Sequence, residues 1–250
     1  MTFDLSMKSI FSDRNPDLLL TQEEKDDLLA SMGIENEYII PLNEKIMNMS
    51  KDEFLSFLDS LSLKMIVVGK DFTFGKKAEG KSYDLYELSK SGTEIHILDL
   101  LKDFDEKISS TNIKRHLLAK NVEKANNMLG YPFFITGEVI HGLHNGRKIS
   151  FPTANMEYPK EKISLPVGVY KTNVEIDGRN YLAMTNIGSH PTIDQLKENI
   201  IETNIFDFDE DIYGKKIKVG FLSYIREQKT FGTLDELKNQ LQQDKKTILS

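Results

Sequence analysis

The chain has 250 residues, a length for one large or two modest domains at about 100–200 residues each. Hydrophobic residues make up 39% and charged ones 28%, with a net charge of -7 and a pI near 5.4; this allows a real core and lacks the basic excess of a phosphate-backbone binder. Cysteine is absent, so disulfides, thiolate metal sites and a Cys nucleophile are excluded.

The first residues carry no basic segment followed by an apolar run, and no apolar stretch approaches about 18 residues. The pattern therefore predicts a cytoplasmic chain with no signal peptide and no membrane span. Thr21 to Glu24 reads as a capping box, opening a helix through Leu28 and Leu29 that stops near Gly33. Ser50 to Glu53 reads as a second box, whose helix puts Phe54, Phe57, Leu58 and Leu61 on one face. Met65–Gly69 is a continuous apolar run of the kind found in strands buried on both faces of a parallel sheet. A helical stretch around Asp84–Lys90 ends at Gly92, and Glu94–Leu98 is the next strand. Two short helices follow, one from about Thr111 and one ending at Gly130. Strands separated by helices indicate βαβ units.

Beyond Tyr131 and Pro132 the pattern becomes strand-rich. Val169–Ile176 and Arg179–Met184 flank Asp177-Gly178, a hairpin signal. Lys216–Leu222 alternates, with Ile217, Val219 and Phe221 on one face. Thr233 to Glu236 is a third capping box, before a helix carrying Leu237 and Leu241 on one side. The boundary falls near residues 130–135, dividing an α/β domain (1–130) from a β domain with a C-terminal helix (131–250).

Two stretches of the second half carry candidate chemistry. Gly137, Gly142 and Gly146 let backbone approach a ligand, successive N–H groups can form an anion nest, and Arg147 and Lys148 add positive charge. Pro152 then stiffens a segment bearing Thr153 and Asn155, hard oxygen ligands of the kind a phosphate-bound Mg²⁺ accepts. The same residues also suit an ordinary hairpin loop, and no P-loop signature is present. Glu202 lies among apolar neighbours in a strand-like segment, as a catalytic base or as a solvated edge residue. Asp207, Asp209, Glu210 and Asp211 read as a solvated turn, without the spacing of a calcium loop.

Several motifs occur in order: Gly137 to Gly142, Gly146-Arg147, Phe151 to Asn155, Leu165 to Tyr170, Asn186 to Gly188 with Pro191-Thr192, Glu202-Thr203, Phe206 to Asp209, Tyr213-Gly214 and Ile225-Arg226. Residues 131–250 thereby resemble the riboflavin kinase domain of bacterial bifunctional FAD synthetases. The resemblance implies an antiparallel β-barrel, with ATP and riboflavin as substrates, FMN as product and Mg²⁺ as cofactor. It implies small-molecule substrates as the partners; the acidic balance and the short apolar runs argue against nucleic acid and membrane. It further implies that Thr153 and Asn155 bind metal and nucleotide phosphate, and that Gly137, Gly142, Gly146 and Arg147 cover the phosphates. Glu202 would take the proton of the terminal ribityl hydroxyl, and Arg226, on the loop before the last helix, would border the flavin. Ser150, His190 and Asn204 stand where the family usually has Gly, Arg and His, which leaves efficiency open.

The first half resembles the FMN adenylyltransferase domain of the same proteins, a Rossmann-like nucleotidyltransferase. The match rests on Thr2 to Asp4, Leu20-Thr21, Val68-Gly69 with Asp71, Phe72, Phe74 and Gly75, and Ile108 to Lys114. Ser109, Ser110 and Thr111 would start a helix and attract phosphate, with Lys114 one turn on; without the resemblance, this is an ordinary N-cap. The Asp71 to Gly75 loop would border the flavin and nucleotide cleft. The family's opening strand, helix and His-x-Gly-His-like turn would precede Thr2, so the domain is expected to be N-terminally truncated or degenerate, with an exposed apolar edge and little adenylyl transfer. Three readings follow: a riboflavin kinase with a remnant second domain, a fully bifunctional enzyme making FAD, and a flavin-binding module without turnover.

Overall fold

A computed structural model describes residues 2–3, 17–41, 43–103, 106–141, 151–191 and 197–250, with backbone alone at 3, 189–191 and 197–199. The chain forms two compact units, residues 1–14 with 29–108 and residues 15–28 with 109–250. The sequence pattern changes near residues 130–135; the compact units divide at residue 108.

In chain order the first part carries β1 (Thr2–Phe3), α1 (Gln22–Ser31), β2 (Ile39–Ile40), α2 (Glu44–Met47) and α3 (Lys51–Ser60). Then come β3 (Met65–Gly69), β4 (Thr73–Phe74), β5 (Gly80–Lys81), β6 (Glu94–Leu98), β7 (Lys102–Asp103) and β8 (Glu106–Lys107). Two expected caps are complete. The Ser50 hydroxyl accepts from Glu53 N, and the Glu53 carboxylate accepts from Ser50 N. Thr21 and Glu24 exchange the same pair of bonds. The stretch expected as a helix over Asp84–Lys90 is a 3₁₀ segment, Ser82–Ser91, ended by left-handed Gly92. Its tighter turns aim Leu85 and Leu88 at the core formed with Phe54, Leu55, Leu58 and Phe74.

Strands β3 and β6 pair in parallel. Among the described residues they form a two-stranded sheet, and Met65 and Val67 are half exposed. The expectation that this run is buried on both faces is therefore corrected. Ile66 and Val68 pack on the core, while no described element covers the alternate residues.

The second unit holds α4 (Ser110–Leu118) and α5 (Val122–Leu129), then β9 (Phe133–Glu138), β10 (Ala154–Glu157), β11 (Gly168–Ile176), β12 (Arg179–Pro191), β13 (Lys197–Ile205), β14 (Lys216–Arg226) and α6 (Leu234–Leu249). The six strands form one antiparallel sheet in the order β10-β13-β12-β11-β14-β9. Its two edges meet just past β9, where Ile140 N donates to Asn155 O at 2.8 Å in an isolated bridge. This closes the sheet into a near-barrel, as expected. The interior takes alternate residues: Tyr170, Thr172, Val174, Ala183, Thr185, Ile201, Thr203, Ile217, Val219 and Phe221 are all buried. Asp177 and Gly178, both at positive φ (50° and 77°), make the tight β11–β12 turn that their sequence announced.

Helix α6 lies on the outer face. Ile248 joins Phe151, Val169, Met184 and Phe206 in a second core, flanked by Leu237 and Leu241. Its cap is half a box: Thr233 accepts from Glu236 N, but the Glu236 carboxylate takes Gly232 N instead.

Candidate active site

Antiparallel pairing sets directly opposed side chains on one face of a sheet. Asn155 on β10 faces Glu202 on β13, Glu202 faces Asn186 on β12, Asn186 faces Val169 on β11, and Val169 faces Arg226 on β14. Residues spread from position 155 to position 226 thus form one row across five strands. At about 4.8 Å per strand, Arg226 stands roughly 14 Å along the sheet from Glu202.

The row faces outward because its sequence neighbours are fixed inward. The Thr203 hydroxyl lies 3.0 Å from that of Thr185, which lies 2.8 Å from that of Thr172. All three are buried, and this chain of hydroxyls satisfies groups that would otherwise be costly inside the barrel. With Thr185 and Thr203 held in, strand alternation turns Asn186 and Glu202 out.

Glu202 is half-buried, and its Oε2 accepts from Asn186 Nδ2 at 3.3 Å. Asn155 is buried, and its Nδ2 donates to the Thr153 carbonyl at 3.3 Å. Thr153, two residues before Asn155, immediately precedes β10. The segment is anchored by Asn204, whose Nδ2 donates to Pro152 O at 2.7 Å. Asn204, which stands where the resembled family usually has His, thereby supports the threonine-bearing segment.

A cavity of about 260 Å³ opens beside Thr153, lined also by Ala154, Thr203, Phe208, Ile212, Tyr213 and the acidic run Asp209 to Asp211. The acidic run expected as a solvated turn is thus also one wall of this cavity. Phe208 and Tyr213, in motifs quoted from the sequence without a role, and Ile212 also line it. The apolar residues interleaved with the charges were the available signal.

The guanidinium of Arg226, the last residue of β14 rather than a loop residue, is engaged by α6. Nε donates to both Asp244 oxygens at 3.0 Å, one terminal nitrogen donates to Asp244 Oδ2 at 2.6 Å, and the other to Glu227 O at 2.8 Å. Gly137 lies in β9 opposite Ile217, where a Cβ would sit 3.5 Å from Met156 Sδ. Gly142, Gly146, Arg147 and Ser150 lie outside the described residues, as does the His190 side chain.

The residues expected for adenylyl transfer fall in different units. In the first, Asp71 is paired with Lys107 at 2.6 Å, and this pairing holds its carboxyl below the usual range. Phe74 is buried and stacks on Phe54 at 4.9 Å, while Phe72 is partly buried against the same core. Gly75, at φ 74°, precedes the next turn. In the second, Ser109 is the N-cap of α4 and accepts from Asn112 N, with Ser110 and Thr111 in the first turn and Lys114 in the next.

A near-barrel whose outer face aligns a carboxylate with two asparagines, joined to an α/β unit, defines the class. A family model described as riboflavin kinase matches residues 129–250, and one described as FAD synthetase matches residues 1–112. The bifunctional riboflavin kinase/FMN adenylyltransferase of Bacillus subtilis is 35% identical over 95% of this chain and 76% of its own length. That of Escherichia coli K12 is 33% identical over 99% of this chain and 80% of its own. A crystal structure described as a macrolide-efflux protein from Streptococcus pneumoniae superposes with a TM-score of 0.88 at 33% identity, covering 99% of this chain and 82% of that one. The chain belongs to the bifunctional riboflavin kinase/FMN adenylyltransferase family, with a riboflavin kinase domain and a FAD synthetase domain. No helix among the described residues is long and apolar enough to cross a membrane.

Proposed function

We propose that the barrel phosphorylates riboflavin to FMN, with Glu202 as base and Thr153 and Asn155 holding the Mg²⁺-bound phosphates of ATP. The observation that carries this reading is the pairing of Asn155 with Glu202 on neighbouring strands, two residues from Thr153, which lines a cavity with an aromatic and aliphatic wall. Among the described residues no three His, Asp or Glu side chains gather into a metal cage. A hydroxyl and an amide oxygen fit an ion that takes most of its ligands from phosphate and water. When bound, Mg²⁺ neutralises charge on the transferring phosphate.

Glu202 accepts the proton of the terminal ribityl hydroxyl as that oxygen bonds to the γ-phosphorus. The bond from the γ-phosphorus to the bridging oxygen breaks, and ADP leaves. Asn155 and Thr153 hold the phosphates in line, and the cavity wall takes the base of the nucleotide. Gly142, Gly146 and Arg147 cover the phosphates in this reading, and Arg226 borders the flavin.

A second reading has the chain also adenylylating FMN. It is supported by the FAD synthetase match over residues 1–112. Chromatography of products from riboflavin, ATP and Mg²⁺ separates the readings: FMN alone supports the kinase, and FAD beside it supports the bifunctional enzyme. Bound flavin with no FMN formed would overturn both. Glu202→Gln is expected to slow phosphorylation about 10²- to 10⁴-fold while riboflavin still binds. Normal turnover by that variant would remove Glu202 from the role of base.

A further inference from the structure

The geometry points to Asn186 as the residue that positions the catalytic carboxylate. This inference rests on Glu202 being the base. Asn186 faces Glu202 directly across β12 and β13, and its Nδ2 donates to Glu202 Oε2 at 3.3 Å. The neighbour on the other side, Asn155, directs its own Nδ2 to the Thr153 carbonyl. Asn186 therefore pins one carboxylate oxygen, and the other is left to receive the proton of the nucleophile.

Two features hold the amide in place. Thr185, the preceding residue, is buried with its hydroxyl between those of Thr172 and Thr203, so the strand is fixed in its face assignment. Gly188 lies two residues on, on the same face. A Cβ there would come within 3.3 Å of Asn186 Nδ2 and 3.4 Å of Gln228 Nε2. The bare Cα leaves the amide its room. An ionised acceptor makes this hydrogen bond stronger than a neutral one, and a carboxylate free to rotate would lose alignment with the hydroxyl.

The test is a double-mutant cycle in the full chain, read by single-turnover FMN formation. Asn186→Ala is expected to lower the rate about 10- to 100-fold, the range for losing a hydrogen bond to a charged group, with KM for ATP and riboflavin unchanged. In a Glu202→Gln background the same substitution is expected to add almost nothing, because the group it positions is no longer a base. Equal rate losses in both backgrounds, or no loss in the wild-type background, would overturn the assignment. Normal turnover by Glu202→Gln alone would instead overturn the base itself. Should Asn186→Ala fail to fold, Asn186→Asp keeps the shape and replaces the donor with a repelling charge. It is expected to lose at least as much rate while keeping its thermal midpoint; an unchanged rate would again overturn the assignment.

Discussion

The two units solve the problem of sheet edges differently. In the second, six strands curl until β9 and β10 meet at the Ile140–Asn155 bridge, and α6 covers part of the outer face. In the first, β3 and β6 form a parallel pair whose inward residues, Ile66, Val68 and Ile95, reach a core, while Met65 and Val67 stay half exposed. A closed sheet has no edge to protect, whereas an open parallel pair depends on whatever covers its second face. Cross-strand alignment is then most exact where closure fixes register on both sides, which is where Asn155, Glu202 and Asn186 meet.

The barrel is also reinforced from an unexpected part of the chain. Residues 15–28, inside the α/β half by sequence, belong to the second unit. Lys162 and Glu24 are both buried; Nζ donates to Glu24 Oε2 and to Phe134 O, each at 2.5 Å. Glu24 Oε1 accepts from Thr136 N at 2.9 Å. Breaking this pair is the largest perturbation we expect. Lys162→Met leaves a buried carboxylate without its cation and should cost about 3–5 kcal/mol, read as faster amide exchange along β9. Retained exchange rates there would mean that the barrel does not depend on the strap.

The same pair has a pH signature. Burial pushes Lys162 below the usual lysine range, with Glu24 and Glu161 pulling the other way. Between that lowered value and the ordinary 10.5, the unfolded chain binds the extra proton, so wild-type stability should rise with pH in this window. Lys162→Met should lose that rise. A parallel pH dependence in wild type and variant would show that Lys162 is not the group responsible.

Much of the barrel was legible because its signals are local. Asp177-Gly178 fixes one hairpin, and the alternation at Ile217, Val219 and Phe221 fixes which face of β14 is inside. The caps at Thr21 and Ser50 were equally plain. What the pattern could not reveal was pairing between distant segments. The row from Asn155 to Arg226 depends on register across five strands, and nothing in the residues around Glu24 announces a partner at Lys162, 138 positions away. Arg226 illustrates the same limit: its side chain is committed to Asp244, 18 residues further along the chain. Met65–Gly69 misled in the opposite direction, since an apolar run states what a strand can bury and not what is there to cover it.

Helices α3 and α6 also differ in how they start, and this gives a middle-sized test. Ser50 caps α3 with both bonds of the box, whereas Glu236 in α6 turns to Gly232 N and leaves Thr233 with one. Ser50→Ala and Thr233→Ala are each expected to cost about 1 kcal/mol, and only the first also removes a side-chain hydrogen bond that helps hold down its box glutamate, Glu53, whose bond from the backbone N–H of residue 50 remains. Burial is slight there, and hydrogen bonds from Ser50 hold Glu53 below the usual carboxylate range. Stability from Glu53 is therefore present above the ordinary glutamate range and fades as pH falls through the lowered value, so the Ser50→Ala deficit should shrink in acid. A deficit independent of pH would mean that the serine contributes by its own bond alone.

The smallest effect should come from Val67→Ser. Val67 alternates with Ile66 and Val68 on β3 and faces away from their core, so the substitution removes no core packing. It should stay within about 0.5 kcal/mol of wild type, as surface changes generally do, when unfolding is followed by exchange of the β3 and β6 amides. The equivalent change inside the barrel, Val219→Ser, places a hydroxyl at a fully buried position whose cross-strand partners are Val174 and Ile135, and should cost several times more. If Val67→Ser destabilised the first unit as strongly as Val219→Ser destabilises the second, the exposed face of β3 would have to be covered in solution. The contrast between a closed barrel and an open parallel pair would then fail at its simplest point.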